Sequence, residues 1–268
     1  MLFDLVIIWY NNNMSRIIAI ANQKGGVGKT TTAINLSAAL AEAGQRVLAV
    51  DFDPQGNLSS GLGIGKNDFT AGVYEMIMGE AEFDNVVIST ETDGLLLLPS
   101  DIDLSGAEIE LLDMPDREHT LKKLLDEVRE DFDFIIIDCP PSLSMLTINA
   151  LSAADTVMVP LQCEYYALEG LSQILKTIDL VQARLNPDLK LEGVVFTMYD
   201  SRNNLSREVV DNVRASLQEN IYDTIIPRNV RLAEAPSHGM PVTRYDSRSA
   251  GADSYRMLAA EVISREDR

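Results

Sequence analysis

The chain of 268 residues is poor in the residue types that make covalent staples and metal centres. It holds two cysteines, Cys139 and Cys163, and two histidines, His119 and His238. Two cysteines form no disulfide framework, which suits a reducing compartment. None of the four stands at metal-ligand spacing, which argues against a zinc site. Glycine (16) and proline (10) are too few for a low-complexity chain. No Gly- or Ser-rich linker and no internal repeat divides the sequence, so a single domain is expected. The apolar run in "MLFDLVIIWYNNN" is too short to cross a bilayer and lacks the basic start and cleavage site of a signal peptide. Met14 then opens "MSRIIAIAN", so the domain is expected to span 14–268, with 1–13 an extension that is not native. A short membrane-touching or partner-binding tail is the alternative.

Positive charge is scarce as well. The net charge is −19, which taken whole argues against nucleic acid and anionic membranes as partners. Its distribution is uneven. Residues 200–256 carry eight arginines, eight acidic residues and no lysine, while residues 1–199 carry 12 basic and 30 acidic residues. Either those arginines dress exposed helices, or they form a local anion-binding face that the total conceals.

What the chain does have is 46% hydrophobic residues in short runs. "RIIAIAN" (16–22), "RVLAVDFD" (46–53), "LLLLPS" (95–100), "FIIIDCPPS" (134–142), "TVMVPLQ" (156–162), "GVVFTMYD" (193–200) and "TIIPRN" (224–229) read as strands. Helical stretches lie between most of them, and a last helix is expected at about 250–265. Alternating strands and helices imply an α/β fold with a mainly parallel sheet covered on both faces. Ligands of such sheets sit at the carboxyl ends of the strands.

At the first of those ends stands "NQKGGVGKTT" (22–31), nearly the phosphate loop G-x-x-x-x-G-K-[ST]. It lacks the first glycine: Gln23 is there, followed by a second lysine, Lys24. Gly25, Gly26 and Gly28 let backbone N–H groups close around phosphate oxygens at a helix start. Lys29 is placed to reach the β- and γ-phosphates of ATP, and the Thr30 hydroxyl to ligate Mg²⁺. Val27 and Thr31 complete the nucleotide-binding stretch. "FDFIIIDCPP" is an apolar strand ending in Asp138, a second candidate Mg²⁺ ligand. In "VDFDPQGN", Asp51 and Asp53 share one side of an extended segment. They are either solvated turn residues or, functionally, a water-orienting group (Asp53) and a supporting carboxylate near the metal (Asp51).

"KGGVGKTT", "DFDPQGN" and "IIIDCPPS" together resemble the deviant Walker A ATPases. "PLQCEYYALEGLSQ", "TMYDSRNNLS", "IPRNVRLAEAPSHG" and "YDSRSAGADSY" look like the ParA/Soj chromosome-partitioning branch, from about Ser15 to the C-terminus. The resemblance implies a P-loop ATPase domain and a reason for the second lysine. Lys24 matches the signature residue that reaches across an ATP-sandwich homodimer to the partner's nucleotide, while Lys29 works within its own subunit. Met198 and Pro227-Arg228-Asn229 resemble the adenine-pocket segment. Arg202 and Arg231 resemble positions that bind nonspecific double-stranded DNA, with Arg207, Arg214 and Arg228 as further candidates.

The function implied is a cytoplasmic, nucleoid-associated switch whose hydrolysis a ParB/Spo0J-type protein stimulates. A MinD-like membrane role is the alternative, but "SYRMLAAEVISREDR" has the mixed charge of a packing helix rather than a membrane anchor. An iron–sulfur relative would need all its ligands from two cysteines. His119 and His238 are read as structural.

Overall fold

Short runs of β-branched and aliphatic residues, each interrupted by a glycine- or aspartate-bearing turn, favour buried parallel strands with helical crossovers. The computed structural model describes residues 15–217 and 220–266 and contains seven such strands. They are β1 (Arg16–Ile20), β2 (Val47–Asp51), β3 (Ile88–Ser89), β4 (Leu95–Leu98), β5 (Phe134–Asp138), β6 (Thr156–Gln162) and β7 (Lys190–Thr197). The order across the sheet is β3-β4-β2-β5-β1-β6-β7, parallel except for β3. The expected α/β architecture is therefore the one observed. The expectation for residues 1–13 falls outside the described residues.

Each strand divides its side chains between two cores by the two-residue period of a pleated strand. Ile17 and Ala19 face one cluster with Leu121, Leu146 and Ile174 from helices on that side. Ile18 and Ile20 face the other, with Leu36 and Leu40 of α1 (Lys29–Glu42) and Leu258 and Val262 of the C-terminal helix (Ala250–Glu266). Leaving any of these branched side chains in water would cost about 1.5–3 kcal/mol each, so both sheet faces must be covered.

Two local features differ from the sequence reading. Residues 224–229 lie against β7 and the residues just after it, through bonds from Ile226 N to Phe196 O and from Arg228 N to Tyr199 O, yet form only one isolated bridge, Tyr199 with Pro227. Pro227 has no N–H for a ladder. Beside it, β7 ends at Thr197 because Met198 turns into the left-handed region at φ 51°. Strand β3 was not anticipated: two residues carry no periodicity to read.

The strand order sets up the site. β5 lies between β1 and β2, so the loops after all three strands are neighbours. Asp51 and Asp138 are direct register partners, and Ile20, just before the glycine loop, partners Asp138 on its other side.

Candidate nucleotide site

The loop that joins β1 to α1 is a ring of backbone donors. Gly26 (φ 74°) and Gly28 (φ 92°) take left-handed conformations that a side chain would strain. Gly28 caps α1 with no side-chain hydrogen bond, leaving N–H groups of the first turn available to an anion. The loop is held from behind. Buried Asn22 accepts from Lys24 N (3.0 Å) and donates to Pro160 O in β6 (2.8 Å). Thr197 Oγ1 donates to Val27 O at 2.8 Å, tying the loop to the end of β7.

The two lysines point to different places. Lys29 is 7% exposed, lies in the cleft with Thr30, Thr31 and Asp53, and donates to Lys24 O at 3.4 Å. Burial lowers its pKa, and the charge of Asp138 is the largest opposing effect. The Lys24 side chain leaves that cleft and pairs with Glu164 at 2.9 Å, both partners being substantially exposed. Glu164 also accepts from the Gln162 amide.

Three carboxylates surround the cleft in three different conditions. Asp138 is fully buried, and neither of its oxygens has a hydrogen-bond partner. Its burial, then the charge of Asp51, raises its pKa well above the ordinary carboxylate range. The Thr30 hydroxyl lies close enough to oppose that rise but outside hydrogen-bond geometry. Asp51 is equally buried, but its Oδ2 accepts from both the N–H and the hydroxyl of Ser59 at 2.7 Å. Burial still pushes its pKa up to about 7. Asp53 is 7% exposed, lines the cleft and accepts from Gln55 N at 3.0 Å.

An orphaned buried carboxylate costs several kcal/mol unless a cation joins it. Asp138 beside the Thr30 hydroxyl therefore suits a hard divalent cation. Among the described residues no group of three or more His, Cys, Asp and Glu forms a cage. A magnesium ion fits that economy of ligands, since it is bound through one or two protein groups plus phosphate and water.

Two adjoining cavities run from this point. The phosphate-side cleft, of about 390 Å³, is lined by the glycine loop, Asp53, Pro141 and Met198. A second cavity, of about 370 Å³, is lined mainly by apolar atoms of Ile226, Pro227, Leu232 and Tyr255, with Arg228 and Asn229. Gly28, Thr31 and Met198 belong to both walls. A charged cleft opening into a flat apolar slot fits a nucleoside triphosphate. Every loop and slot residue singled out in the sequence lines one of these cavities except Lys24 and Val27, the latter buried with its carbonyl bonded to Thr197.

Arg202, Arg207, Arg214 and Arg231 lie away from these cavities. Arg202 takes Asp200 in a two-point grip (2.9 and 2.8 Å), and Arg231 pairs with Glu234 (2.8 Å) and Asp246 (3.1 Å). Arg207 donates to Asn204, and Arg207 and Arg214 sit exposed on the helix Asn204–Leu217. Arg202 and Arg231 thus find acids within residues 200–256, whereas Arg244 pairs with Glu91 and Arg256 with Glu42 as well as Asp253. His119 bonds Asp116 and Leu185 O, and His238 stacks on Tyr245, so both histidines have structural contacts.

The sequence reading missed Ser59, Asn22, Glu164 and the Tyr255 hydroxyl, which contacts Thr32 at 3.2 Å. Each acts on a partner that only the folded chain brings close. Ser59 alone had a signal, since it follows the "DFDPQGN" turn.

A family model described as "AAA domain" matches residues 15–191. The sporulation initiation inhibitor protein Soj of Bacillus subtilis (strain 168) is 55% identical over 251 residues, 94% of this chain and 99% of the relative. The chromosome partitioning protein ParA of Caulobacter vibrioides (strain NA1000 / CB15N) is 54% identical over 256 residues, 95% and 96% of the two chains. Among solved structures, cobyrinic acid a,c-diamide synthase from Mycobacterium smegmatis with bound ADP and magnesium superposes with a TM-score of 0.83 at 44% identity. That match covers 95% of this chain and 96% of that one.

Proposed function

Because the chain belongs to the Soj/ParA family of chromosome-partitioning ATPases, we propose that it is an ATP-driven switch whose dimer binds DNA without sequence preference. The observation that carries this reading is the divergence of its two lysines: Lys29 is buried in the phosphate cleft, and Lys24 turns out of it toward Glu164.

ATP is the nucleotide and Mg²⁺ the metal, consistent with the ADP and magnesium of the Mycobacterium smegmatis structure. Thr30 and Asp138 hold the metal, and Asp51 is the supporting carboxylate behind them, fixed by Ser59. A magnesium ion held by Thr30 and Asp138 would supply charge neutralisation to the phosphates. The glycine loop and the first turn of α1 wrap the phosphates with N–H groups, and Lys29 adds its ammonium. Asp53, at the cleft wall, orients the attacking water. The apolar slot with Met198, Pro227, Arg228 and Asn229 takes the adenine.

Lys24 leaves Glu164 when two ATP-bound subunits close face to face and reaches the partner's phosphates. A cation supplied in trans is worth roughly 10³–10⁵ in rate, so hydrolysis waits on dimerisation. Arg202 and Arg231, with Arg207 and Arg214, hold DNA phosphates in the closed dimer, and a ParB/Spo0J-type partner triggers hydrolysis and release. A switch that works through such contacts acts in the cytoplasm, on the nucleoid. No helix among the described residues is long and apolar enough to cross a membrane.

The test is binding of a nonspecific duplex with ATP, ADP or no nucleotide at two salt concentrations, with Arg202→Ala beside the parent. ATP-dependent, salt-sensitive binding that Arg202→Ala weakens supports the reading. Absence of binding in ATP, with dimerisation verified, overturns the DNA assignment.

A further inference from the structure

The segment that leaves β7 touches the nucleotide cavities at one end and an exposed arginine at the other. Met198 lines both cavities. Tyr199 follows, pinned by bonds from its N–H to Ile226 O (3.1 Å) and from Arg228 N–H to its carbonyl (2.9 Å). Asp200 then opens a tight turn, closed by a bond from Asn203 N to Asp200 O at 3.0 Å. Arg202 stands on that turn with its side chain 88% exposed, against 27% for Asp200.

Asp200 makes three bonds to the same residue. Its Oδ1 accepts from Arg202 N (3.0 Å) and Nε (2.9 Å), and its Oδ2 from Nη2 (2.8 Å). One edge of the guanidinium fork is therefore occupied. A phosphate approaching the other edge meets a carboxylate a few ångströms away. Arg228, whose N–H bonds the carbonyl of the neighbouring Tyr199, is a second cation in the same field. The Arg202 hydrogen bonds and charge push the Asp200 pKa down to about 2, and the Arg228 charge adds a smaller part. Arg228 lines the base cavity.

We propose that Asp200 is an internal counter-anion that withholds Arg202 from DNA until a nucleotide occupies the adjoining cavity. This rests on the DNA-binding reading above. Release is an exchange of partners. A nucleotide seated between Met198 and Arg228 presses on the two residues that flank Asp200, one by chain and one by charge. The carboxylate moves toward Arg228, and the whole guanidinium fork is freed for a phosphate, to which it binds two-pronged.

The experiment measures binding of a fluorescent nonspecific duplex at low salt, where weak affinities can be read. Four proteins are compared: the parent, Asp200→Asn, Arg202→Ala and the double variant, each without nucleotide, with ADP and with a slowly hydrolysed ATP analogue. Asparagine keeps an acceptor for Arg202 N and removes the charge; Asp200→Ser repeats the test, and thermal melting checks that both fold. An exposed ion pair is worth up to about fivefold in an equilibrium constant. Asp200→Asn is expected to tighten binding about two- to fivefold without nucleotide, and less than about twofold with ADP or the ATP analogue, both of which fill the base cavity. The gain should vanish in the Arg202→Ala background.

No gain, an equal gain in every nucleotide state, or a gain that survives Arg202→Ala overturns the proposal. A parent that ignores DNA while holding the ATP analogue overturns the DNA reading and this proposal with it. A parent that binds while Asp200→Asn gains nothing overturns this proposal alone.

Discussion

Raising the pH should destabilise the ligand-free protein through a range in which most proteins are indifferent. Asp51 is fully buried with its pKa pushed from an ordinary value of about 4 up to about 7. An acid that holds its proton more tightly in the folded chain than in the unfolded one contributes its full stability below the unfolded pKa. That contribution is lost as pH rises through the folded pKa, because the unfolded chain releases the proton first. Over about three pH units at 1.36 kcal/mol each, the loss approaches about 4 kcal/mol. That is a large fraction of the 5–15 kcal/mol typical of a whole domain. Asp138, raised in the same direction with no hydrogen-bond partner, adds to the slope. Urea unfolding without nucleotide or magnesium, from about pH 5 to about pH 8, measures it directly. The unfolding free energy should fall by at least about 1.4 kcal/mol per pH unit, the one-proton slope, up to about pH 7. In Asp138→Asn the slope should flatten, since the variant removes one of the two buried acids whose protons the folded chain retains. A flat or rising profile in the parent, or the same slope in Asp138→Asn, would refute the reasoning.

The remaining predictions separate the lysines and test the packing beneath the site. Lys24→Ala should leave ATP affinity of the isolated subunit within about threefold while lowering DNA- or partner-stimulated turnover roughly 10³-fold; Lys29→Ala should abolish ATP binding itself, as equilibrium titration with a fluorescent ATP analogue would read. Gly239→Ala should lower the melting temperature, at a cost of about 1–3 kcal/mol: its φ is 63°, and a Cβ there would lie 2.7 Å from Gly63 Cα. A variant that melts with the parent would show that the Gly63–Gly239 approach can relax.

The sequence made the glycine loop and its metal-side carboxylates legible because the chemistry is packed into contiguous stretches. Gly25 to Thr31 are adjacent, and Asp51 and Asp138 each end an apolar strand that announces itself. What it could not convey was relation. Asp51 and Asp138 are register partners only because β5 inserts between β1 and β2. Lys24 meets Glu164 across 140 residues, and Asp51 is held by a serine eight residues on. The pairing of the arginines was half visible, since equal numbers of opposite charges sit in residues 200–256. Which acid holds which arginine depends on turns such as the one at Asp200. The misread strand at 224–229 shows the converse. Its apolar run suggested a full ladder, and Pro227 limits it to a bridge.

The position of β5 also sets a timetable for a chain emerging from the ribosome. β1 and β2 are made first, yet they lie two places apart in the sheet, and the strand between them ends roughly ninety residues later. At 5–20 residues per second, that gap lasts on the order of 5–20 s. Throughout it, the glycine loop exists without the carboxylate that completes its floor. The slot beside it must wait longer, for Tyr255 in the last helix. A nascent chain therefore carries the phosphate loop at first as an unfinished receptor, and becomes able to retain a nucleotide only once the helix Ala250–Glu266 has been made.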